Sequence, residues 1–587
     1  VNALLRPLTS LYFTEYRRTK RHTTFALSAD NMIFTLTWYV LLTFVSAEKN
    51  PMVDVKNGKL RGVIENPTTN FTYYAFKGIP FAKPPVKDLR FKVPKPADPW
   101  DGIRDATSDE NVCPQYDISS SSHLGDEDCL YLNVYSKSLK GKKPVLVYIH
   151  GGEFIQGGAA SYFYDPKYFL EHDLVFVSIQ YRLGVLGFLS GGDSDLRGNW
   201  GLHDQVLALR WVQENIEVFG GDPDAVTLMG ESAGGASATY LMLTDEAPNL
   251  FKQAILLSGN AMCDQYYQPN PKEALEEIAS RLDCAKGPTL DLVDCIRRKP
   301  MPEIIEKSSD MFTFYSFPRW FAPVKDGLLI RDEPYEQFKK GSFYKVPTIV
   351  GHTKDEGAFY YRLILNTFGG GAYDDNFLDD KLPRILPVIS HYNRRLFPIM
   401  RAVRKRYFGN IDFEKEEQFK PRYIEFLTDL LFTKCTNTFA QALANSSVPV
   451  YTFVLDYEGK NSVVQFQGEL ENMGVAHGDE LQYLFDGVWG DDTTMPKEDI
   501  EFSRKLFIPL FVNFAKTSLP TPQLTETISE AWTPFTIQKG SYFHIERKPR
   551  LEEGFKRDIL KFWSEDIPSL FTTSGKSVIT SRSKQEL

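Results

Sequence analysis

Apolar runs alternate with segments of helical periodicity through the middle of the chain. Residues 145–149 and 174–179 are almost wholly apolar, which is typical of strands buried on both faces of a sheet. Between residues 203 and 219 apolar positions recur every three or four residues, and the glycine pair that follows predicts the end of an amphipathic helix. Further strands are predicted at 226–229 and 254–258. This alternation predicts a mainly parallel α/β sheet flanked by helices.

The pattern changes on either side of this region. Residues 53–76 are short and strand-like with an asparagine-glycine turn signal, which predicts an antiparallel edge hairpin. The proline-rich stretch 80–99 is expected to cross the surface as ordered coil. Residues 360–445 are largely helical in pattern, and we expect them to form insertions near the top of the sheet that shape a pocket. Residues 450–455 form the last convincing strand.

The chain is expected to divide into three parts. These are an N-terminal extension with a signal peptide at 1–47, one large α/β domain at 48–570, and a flexible polar tail at 571–587. The apolar run 32–47 ends in small residues and is short for a membrane span, so we expect a signal peptide cleaved after Ala47. Met32 is then expected to be the true start. The alternative is an uncleaved anchor with the basic residues 17–21 on the cytoplasmic side.

Composition limits the classes of partner. The chain has 587 residues, of which 42% are hydrophobic, so it can bury the core of one large α/β domain with insertions. Its net charge of −9 and pI near 5.7 give no basic surface, which argues against nucleic acid as a partner. We expect no cofactor, no metal site and no stable membrane span in the mature chain.

Short motifs favour the secretory pathway. Asn70 and Asn445 begin glycosylation sequons. The C-terminal residues 584–587 read Lys-Gln-Glu-Leu and resemble a Lys-Asp-Glu-Leu retrieval signal, whose partner would be a retrieval receptor of the endoplasmic reticulum. The expected location is therefore the lumen of the endoplasmic reticulum or the exterior. Retention is slightly favoured over secretion.

Six cysteines form two local pairs and two isolated residues. They are Cys113 with Cys129, Cys284 with Cys295, and then Cys263 and Cys435. Each local pair brackets a short loop and could close a disulfide worth about 3 kcal/mol for a loop of about 15 residues. The two isolated cysteines are expected to be buried thiols. Six free cysteines, mostly buried, are the alternative.

A Gly-x-Ser-x-Gly motif at residues 230–234 follows an apolar strand and precedes helix-like sequence. This layout is typical of a nucleophile elbow, which presents a serine hydroxyl, here Ser232, at a sharp turn. Such a serine needs a histidine base and a third group that orients the histidine. An ordinary strand and turn account for the isolated motif equally well, so the other two residues must be found elsewhere.

Residue order narrows the partners of Ser232. In α/β-hydrolases the acid, and then the histidine, follow the serine along the chain. Of the three histidines that follow every plausible acid, His477 is in a glycine-flanked loop beyond the last strand, and the other two are in patterned or basic sequence. Asp355 and Glu356 both follow the predicted strand 346–351, and order alone leaves both open as the acid.

Several motifs resemble those of the type-B carboxylesterases, especially the insect carboxylesterases. They are EDCLYLN (127–133), YRLG (181–184), NWGLHDQ (199–205), FGGDP (219–223), GESAG (230–234), DEG (355–357) and HGDEL (477–481). The resemblance spans about residues 50–565. It implies an α/β-hydrolase fold with a large, mostly parallel sheet and helical insertions that form an active-site gorge. It also implies that Glu356 is the acid.

The same resemblance implies the disulfide pairs Cys113–Cys129 and Cys284–Cys295. The roles of the three site residues predict hydrolysis of small-molecule carboxylic esters through an acyl-serine, with His477 as the base. The esters would be xenobiotic, lipid or hormone esters. Four backbone N–H groups are expected to hold the oxyanion, those of Gly151, Gly152, Glu153 and Ala233.

Glu153 departs from the family pattern, in which the oxyanion loop has a third glycine or an alanine. A carboxylate about 4 Å from the oxyanion would oppose it by about 4 kcal/mol at an effective dielectric constant of about 20. We expect the side chain to turn away from the oxyanion. The alternative hypothesis is that Glu153 narrows the substrate range or positions water against a stable acyl- or phosphoryl-serine.

Two other features bear on function. Glu231 argues against a juvenile hormone esterase, because those enzymes typically have glutamine at this position. Cholinesterases typically have a tryptophan in the loop between the first paired cysteines, where it holds a quaternary ammonium. Residues 114–128 contain no tryptophan, which argues against choline esters as substrates. The competing class is an adhesion or recognition protein built on an impaired esterase fold. Such relatives usually lose a triad residue, whereas Ser232, Glu356 and His477 are all present. An active ester hydrolase is therefore the favoured interpretation.

Overall fold

A computed structural model of the protein provides the structure. It describes residues 50–68, 71–117, 122–313, 317–369, 381–389, 396–466, 473–488 and 495–572. The signal-peptide run, Asn70 and the retrieval-like C-terminus lie outside the described residues.

Sixteen strands are present in the described part of the chain. They are β1 (Met52–Val55), β2 (Gly58–Arg61), β3 (Val63–Thr68), β4 (Phe71–Pro80), β5 (Ile103–Asp105), β6 (Gln115–Asp117), β7 (Ser122–Leu124), β8 (Tyr131–Ser136), β9 (Lys143–Ile149), β10 (Val175–Ile179), β11 (Gly221–Glu231), β12 (Gln253–Leu257), β13 (Thr348–Thr353), β14 (Val450–Leu455), β15 (Tyr542–Ile545) and β16 (Arg550–Glu552). Eleven of them form one sheet in the order β16-β15-β14-β13-β12-β11-β9-β10-β8-β4-β3. Strands β1, β2 and β5 form a second sheet, and β6 and β7 a third.

The middle of the large sheet is parallel and its edges are antiparallel. Strands pair in parallel from β10 through β9, β11, β12, β13 and β14 to β15. Alternate residues of β9 enter two different apolar cores: Val145 and Val147 pack in one, and Leu146 and Tyr148 in the other. Such a sheet is buried on both faces, as its apolar strands predicted.

Helices cover this sheet and form the insertions. They are α1 (Lys167–Leu170), α2 (Gly184–Phe188), α3 (Trp200–Asn215), α4 (Ala233–Leu241), α5 (Pro271–Arg281), α6 (Thr289–Arg298), α7 (Met301–Ser309), α8 (Pro334–Lys339), α9 (Ala358–Gly369), α10 (Leu382–Ile389), α11 (Leu396–Val403), α12 (Glu416–Thr428), α13 (Lys434–Asn445), α14 (Val463–Phe466), α15 (Lys497–Phe502), α16 (Ile508–Thr517), α17 (Arg557–Lys561) and α18 (Ile567–Thr572). The predicted helix at 203–219 is α3 followed by a 3₁₀ turn, and it ends at Gly220 with φ 80°. Helices α9 to α12 contribute to an apolar core separate from the two that cover the sheet.

The asparagine-glycine turn joins β1 to β2 in the predicted antiparallel hairpin, which lies at the edge of the small three-stranded sheet, while β3 and β4 form another hairpin at the edge of the large sheet. One expectation about strands needs correction. Strand β14 is not the last, because β15 and β16 extend the sheet beyond it. These late strands have only four and three residues, too few for a clear periodic pattern.

The structure has three disulfides. The local pairs Cys113–Cys129 and Cys284–Cys295 are joined. The expectation that Cys263 and Cys435 are buried thiols is wrong, because they form the third disulfide with Cα atoms 4.9 Å apart. They are 172 residues apart in sequence, so spacing alone could not reveal that the fold brings them together. In the described residues, every helix is too short or too polar to cross a membrane.

Candidate active site

Ser232 occupies a strained turn between β11 and α4. Its φ of 56° lies in the left-handed region, where a non-glycine residue costs about 1–3 kcal/mol. A Cβ at Gly230 would overlap the backbone of Gly234, and a Cβ at Gly234 would overlap the carbonyl of Ile149. Both glycines are therefore required by close backbone approach. The Ser232 N–H donates to the Leu257 carbonyl at 2.8 Å and holds the turn against β12.

His477 lies between Ser232 and Glu356. Its Nε2 is 2.9 Å from the Ser232 Oγ, and its Nδ1 is 2.5 Å from Oε2 of Glu356. His477 is 6% exposed, Ser232 is 2% exposed and Glu356 is 0% exposed, so bulk water competes little with these hydrogen bonds. The structure thus brings the three predicted residues into one continuous hydrogen-bonded chain.

Glu356 follows β13 and is held by that strand. Its Oε1 accepts the Thr353 N–H at 2.8 Å, which leaves Oε2 for the imidazole. The other candidate acid, Asp355, instead accepts the Val475 N–H at 3.1 Å. Asp355 therefore supports the loop that carries His477, and Glu356 contacts the ring itself.

Charged neighbours set the proton affinity of His477. Burial lowers the pKa of His477, but Glu356 and Glu231 outweigh that effect and raise the pKa to about 9. Burial raises the pKa of Glu231 to about 8, although His477 opposes this, and Oε1 of Glu231 lies 3.3 Å from Nε2 of His477. Burial also opposes ionisation of Glu356, yet the facing imidazole keeps its pKa below the ordinary value. Imidazolium at this position is therefore well stabilised.

The loop after β9 lies directly against the serine. A Cβ at Gly151 would come within 3.1 Å of the Ser232 Cβ and 2.5 Å of Oε2 of Glu231. The Gly151 carbonyl is 2.8 Å from Nδ1 of His150, and burial lowers the pKa of that histidine to about 4, so a neutral ring can donate this bond. The Gly152 carbonyl accepts the N–H groups of residues 155 and 156 at 3.0 Å.

These carbonyl contacts orient the peptide planes of the loop. Because a trans peptide directs its N–H opposite to its C=O, fixing the carbonyls of Gly151 and Gly152 also fixes the N–H directions of Gly152 and Glu153. The N–H of Ala233 is at the first position of α4, where a helix offers it no acceptor. The four predicted oxyanion donors thus belong to two fixed backbone segments that flank Ser232.

The Glu153 carboxylate binds the side chains of Tyr360 and Arg319. Tyr360 donates its hydroxyl to Oε1 at 2.5 Å, and Arg319 forms an ion pair with Oε2. Glu153 is 3% exposed and Arg319 is 8% exposed. The guanidinium also lies 3.9 Å from the centre of the Phe317 ring. The acidic side chain in the loop after β9 is therefore neutralised by a buried cation.

Tyr266 is a site residue that the sequence did not reveal. Its hydroxyl lies 3.0 Å from the Ser232 Oγ, and the side chain is fully buried. It belongs to the 3₁₀ turn Asp264–Tyr266 that follows β12. No motif surrounds this tyrosine in the sequence, so only the fold shows that it contacts the serine.

The sheet order, the strand-turn-helix at Ser232 and the placement of the site beyond parallel strands define an α/β-hydrolase. Residues 49–563 match the sequence model of the Carboxylesterase family, and the chain belongs to that family. It is accordingly a hydrolase of carboxylic esters.

Named relatives agree with this assignment. The chain is 34% identical to Esterase FE4 of Myzus persicae over 525 residues, which cover 85% of this chain and 89% of the relative. It is 33% identical to Juvenile hormone esterase of Tribolium castaneum, over 84% and 87% of the two chains. It is 31% identical to Carboxylesterase 4A of Bos taurus, over 91% and 99%. These comparisons lend no support to an impaired adhesion protein.

Proposed function

We propose that Ser232, His477 and Glu356 form the catalytic triad of this ester hydrolase. The observation that carries the proposal is the hydrogen-bonded chain from Oγ through the imidazole to the Glu356 carboxylate, with distances of 2.9 and 2.5 Å. His477 takes the proton of Ser232 as Oγ attacks the ester carbonyl, and Glu356 orients the ring and stabilises the imidazolium. The alcohol leaves with that proton. Water then attacks the acyl-serine by the same route and releases the acid.

The developing oxyanion is proposed to bind the N–H groups of Gly151, Gly152, Glu153 and Ala233. The support is that the carbonyls of the loop are already bound, so its N–H groups need no reorganisation when charge develops. Loss of one such donor typically costs about 3 kcal/mol of transition-state stabilisation. In this proposal the Glu153 carboxylate stays bound to Arg319, and its backbone acts on the substrate.

The substrates are proposed to be small xenobiotic, lipid or hormone esters, hydrolysed in the secretory pathway. Three disulfides support an oxidising compartment. The sequon residue Asn445 is exposed at the end of α13, where a glycan can be attached. The signal peptide and the three-part division of the chain at residues 47 and 570 are proposed from the sequence. Recognition of the C-terminal tail by a retrieval receptor is proposed on the same basis.

A fluorophosphonate probe tests the triad. It forms a covalent bond only with an activated serine, so the wild-type chain should be labelled and Ser232→Ala should not. The matched control is Ser237→Ala, which changes a buried serine of helix α4, five residues after Ser232, and should keep labelling and ester hydrolysis. Labelling of the Ser232 variant at the wild-type rate would refute the assignment of the nucleophile.

A further inference from the structure

The nucleophile has a second hydrogen-bond partner besides its base. Oγ of Ser232 is 2.9 Å from Nε2 of His477 and 3.0 Å from the hydroxyl of Tyr266. Ser232 has one hydroxyl proton, and the triad requires that proton to go to the imidazole. The remaining bond must then be donated by the phenol. Burial, with the carboxylates of Glu231 and Glu356 nearby, raises the pKa of Tyr266 well above its ordinary value, so the phenol keeps its proton.

The surrounding structure holds the Tyr266 ring in place. The backbone N–H of Tyr266 donates to the Cys263 carbonyl at 3.0 Å, and Tyr240 donates its hydroxyl to the Tyr266 carbonyl at 2.6 Å. Phe154, from the oxyanion loop, packs edge-on with ring centres 6.1 Å apart. The Cys263–Cys435 disulfide joins the residue before the turn Asp264–Tyr266 to helix α13. A ring restrained at both ends of its segment can present a hydroxyl at a fixed position.

We propose that Tyr266 is a further catalytic residue, which donates a hydrogen bond to Oγ of Ser232 and stabilises the charge that returns to this oxygen during deacylation. The inference rests on the proposed role of Ser232 as the nucleophile. In the acyl-enzyme, Oγ is an ester oxygen and a weak acceptor. In the free enzyme, Oγ is a hydroxyl oxygen and a good hydrogen-bond acceptor. The bond with Tyr266 therefore strengthens as the acyl group leaves.

Water attacks the acyl carbonyl carbon, its proton passes to Nε2 of His477, and the carbonyl π electrons move to the oxyanion. When the carbonyl re-forms, the bond between carbon and Oγ breaks and its electron pair goes to Oγ. The imidazolium returns the proton to Oγ, and the acid departs. Tyr266 keeps its own proton throughout and only shortens its hydrogen bond.

Acylation depends much less on this contact. The phenol already binds Oγ before attack, so removing it changes the starting hydroxyl and the acylation transition state to similar extents. Deacylation begins from the weakly accepting ester oxygen and gains the bond on the way to the transition state. Only interactions that are stronger in the transition state accelerate a step. Removing the Tyr266 hydroxyl should therefore slow deacylation much more than acylation.

Tyr266→Phe, which removes one oxygen, tests the proposal in the full-length enzyme. With p-nitrophenyl acetate, the burst of nitrophenol reports acylation and the steady state reports deacylation. We expect the burst rate to stay within about twofold of wild type and the steady-state rate to fall about tenfold, as for loss of one hydrogen bond. The matched control is Tyr451→Phe, a buried tyrosine of β14 packed against Trp532, which should change neither rate.

The outcomes separate the two proposals. An unchanged steady-state rate, or equal losses in both steps, would overturn the role of Tyr266 while leaving Ser232 as the nucleophile. Absence of both a burst and fluorophosphonate labelling in the wild type would instead overturn the triad. If Tyr266→Phe fails to fold, 3-fluorotyrosine at position 266 retains the hydroxyl as a stronger donor. Deacylation at least as fast as wild type is then expected, and slower deacylation would contradict the proposal.

Discussion

Glu231 is a buried carboxylic acid beside His477 that lies outside the proposed triad. Its Oε1 is 3.3 Å from Nε2 of His477, and a negative carboxylate there favours the imidazolium. Glu231→Gln removes that charge, so the pKa of His477 should fall. Because only neutral imidazole can accept the serine proton, activity is lost as pH falls through this pKa. The acidic limb of the profile of kcat/KM against pH should therefore move to lower pH.

The measurement is kcat/KM for a p-nitrophenyl ester between about pH 6 and 11, a range that covers the titration of the free enzyme's His477 on both sides of its pKa of about 9. The control is Glu246→Gln, which neutralises a carboxylate that pairs with Arg210 at the surface. Its profile should coincide with that of wild type. A limb that does not move in Glu231→Gln would show that the carboxylate has no influence on the base.

Arg319 neutralises Glu153, the acidic residue in the proposed oxyanion loop. Arg319→Met would leave Glu153 buried without its cation, and breaking a buried pair from one side typically costs about 3–5 kcal/mol. We expect a fall of about that size in the free energy of unfolding, together with slower acylation, because the unpaired charge then opposes the oxyanion. Urea unfolding and the burst rate measure the two effects.

A second substitution distinguishes charge from packing. Glu153→Gln combined with Arg319→Met removes both charges and keeps similar volumes, so most of the lost stability and acylation should return. If the double variant were as impaired as Arg319→Met alone, the guanidinium would act through packing, including its contact with Phe317, and not through its charge.

At the scale of elements, the Cys263–Cys435 disulfide ties the turn that carries Tyr266 to helix α13. The same two segments are joined by the Lys434–Asp264 ion pair at 2.6 Å and by the bond from Gln265 to the Leu431 carbonyl at 2.7 Å. Phe432, in the connecting π-helical turn, has its ring centre 4.8 Å from that of His477. One clamp therefore supports contacts to both Ser232 and His477.

Removing this clamp should destabilise the fold more than removing a local disulfide. Cys263→Ser with Cys435→Ser opens a loop of 172 residues, which corresponds to about 5 kcal/mol of chain entropy. Cys284→Ser with Cys295→Ser is the matched control, since it opens 11 residues and corresponds to about 3 kcal/mol. Urea unfolding under non-reducing conditions measures both. Equal losses would show that the long loop is already restrained in the unfolded chain.

The sequence predicted those elements whose pattern is local. The strands β9 and β10 are long apolar runs, and α3 has a repeated apolar face with a glycine at its end. The short strands β15 and β16 have no such pattern, and β15 places a polar His544 within four residues. Such strands form because β14 offers an edge with which to pair, which is information that only the tertiary fold contains.

At the scale of the whole molecule, the site assembles from segments that are far apart in sequence. Ser232 was predicted from its motif and His477 from chain order, while the choice of Glu356 came from family resemblance. The partners of Glu153 could not be predicted, since Tyr360 is 207 residues away and no local pattern marks it. The parallel sheet brings the segments together because the carboxyl ends of its strands share one edge.

Glycosylation of the surface residue Asn445 tests whether the protein passes through the secretory pathway. Asn445 is exposed at the end of α13, about 15 Å along the helix from Cys435, so a glycan there should leave the site unchanged. In a secreting host, Ser447→Ala should remove the sequon and lower the apparent mass by one glycan, with ester hydrolysis retained. Ser447→Thr keeps the sequon and should keep the wild-type mass. Identical masses for all three chains after secretion would show that this sequon is not used.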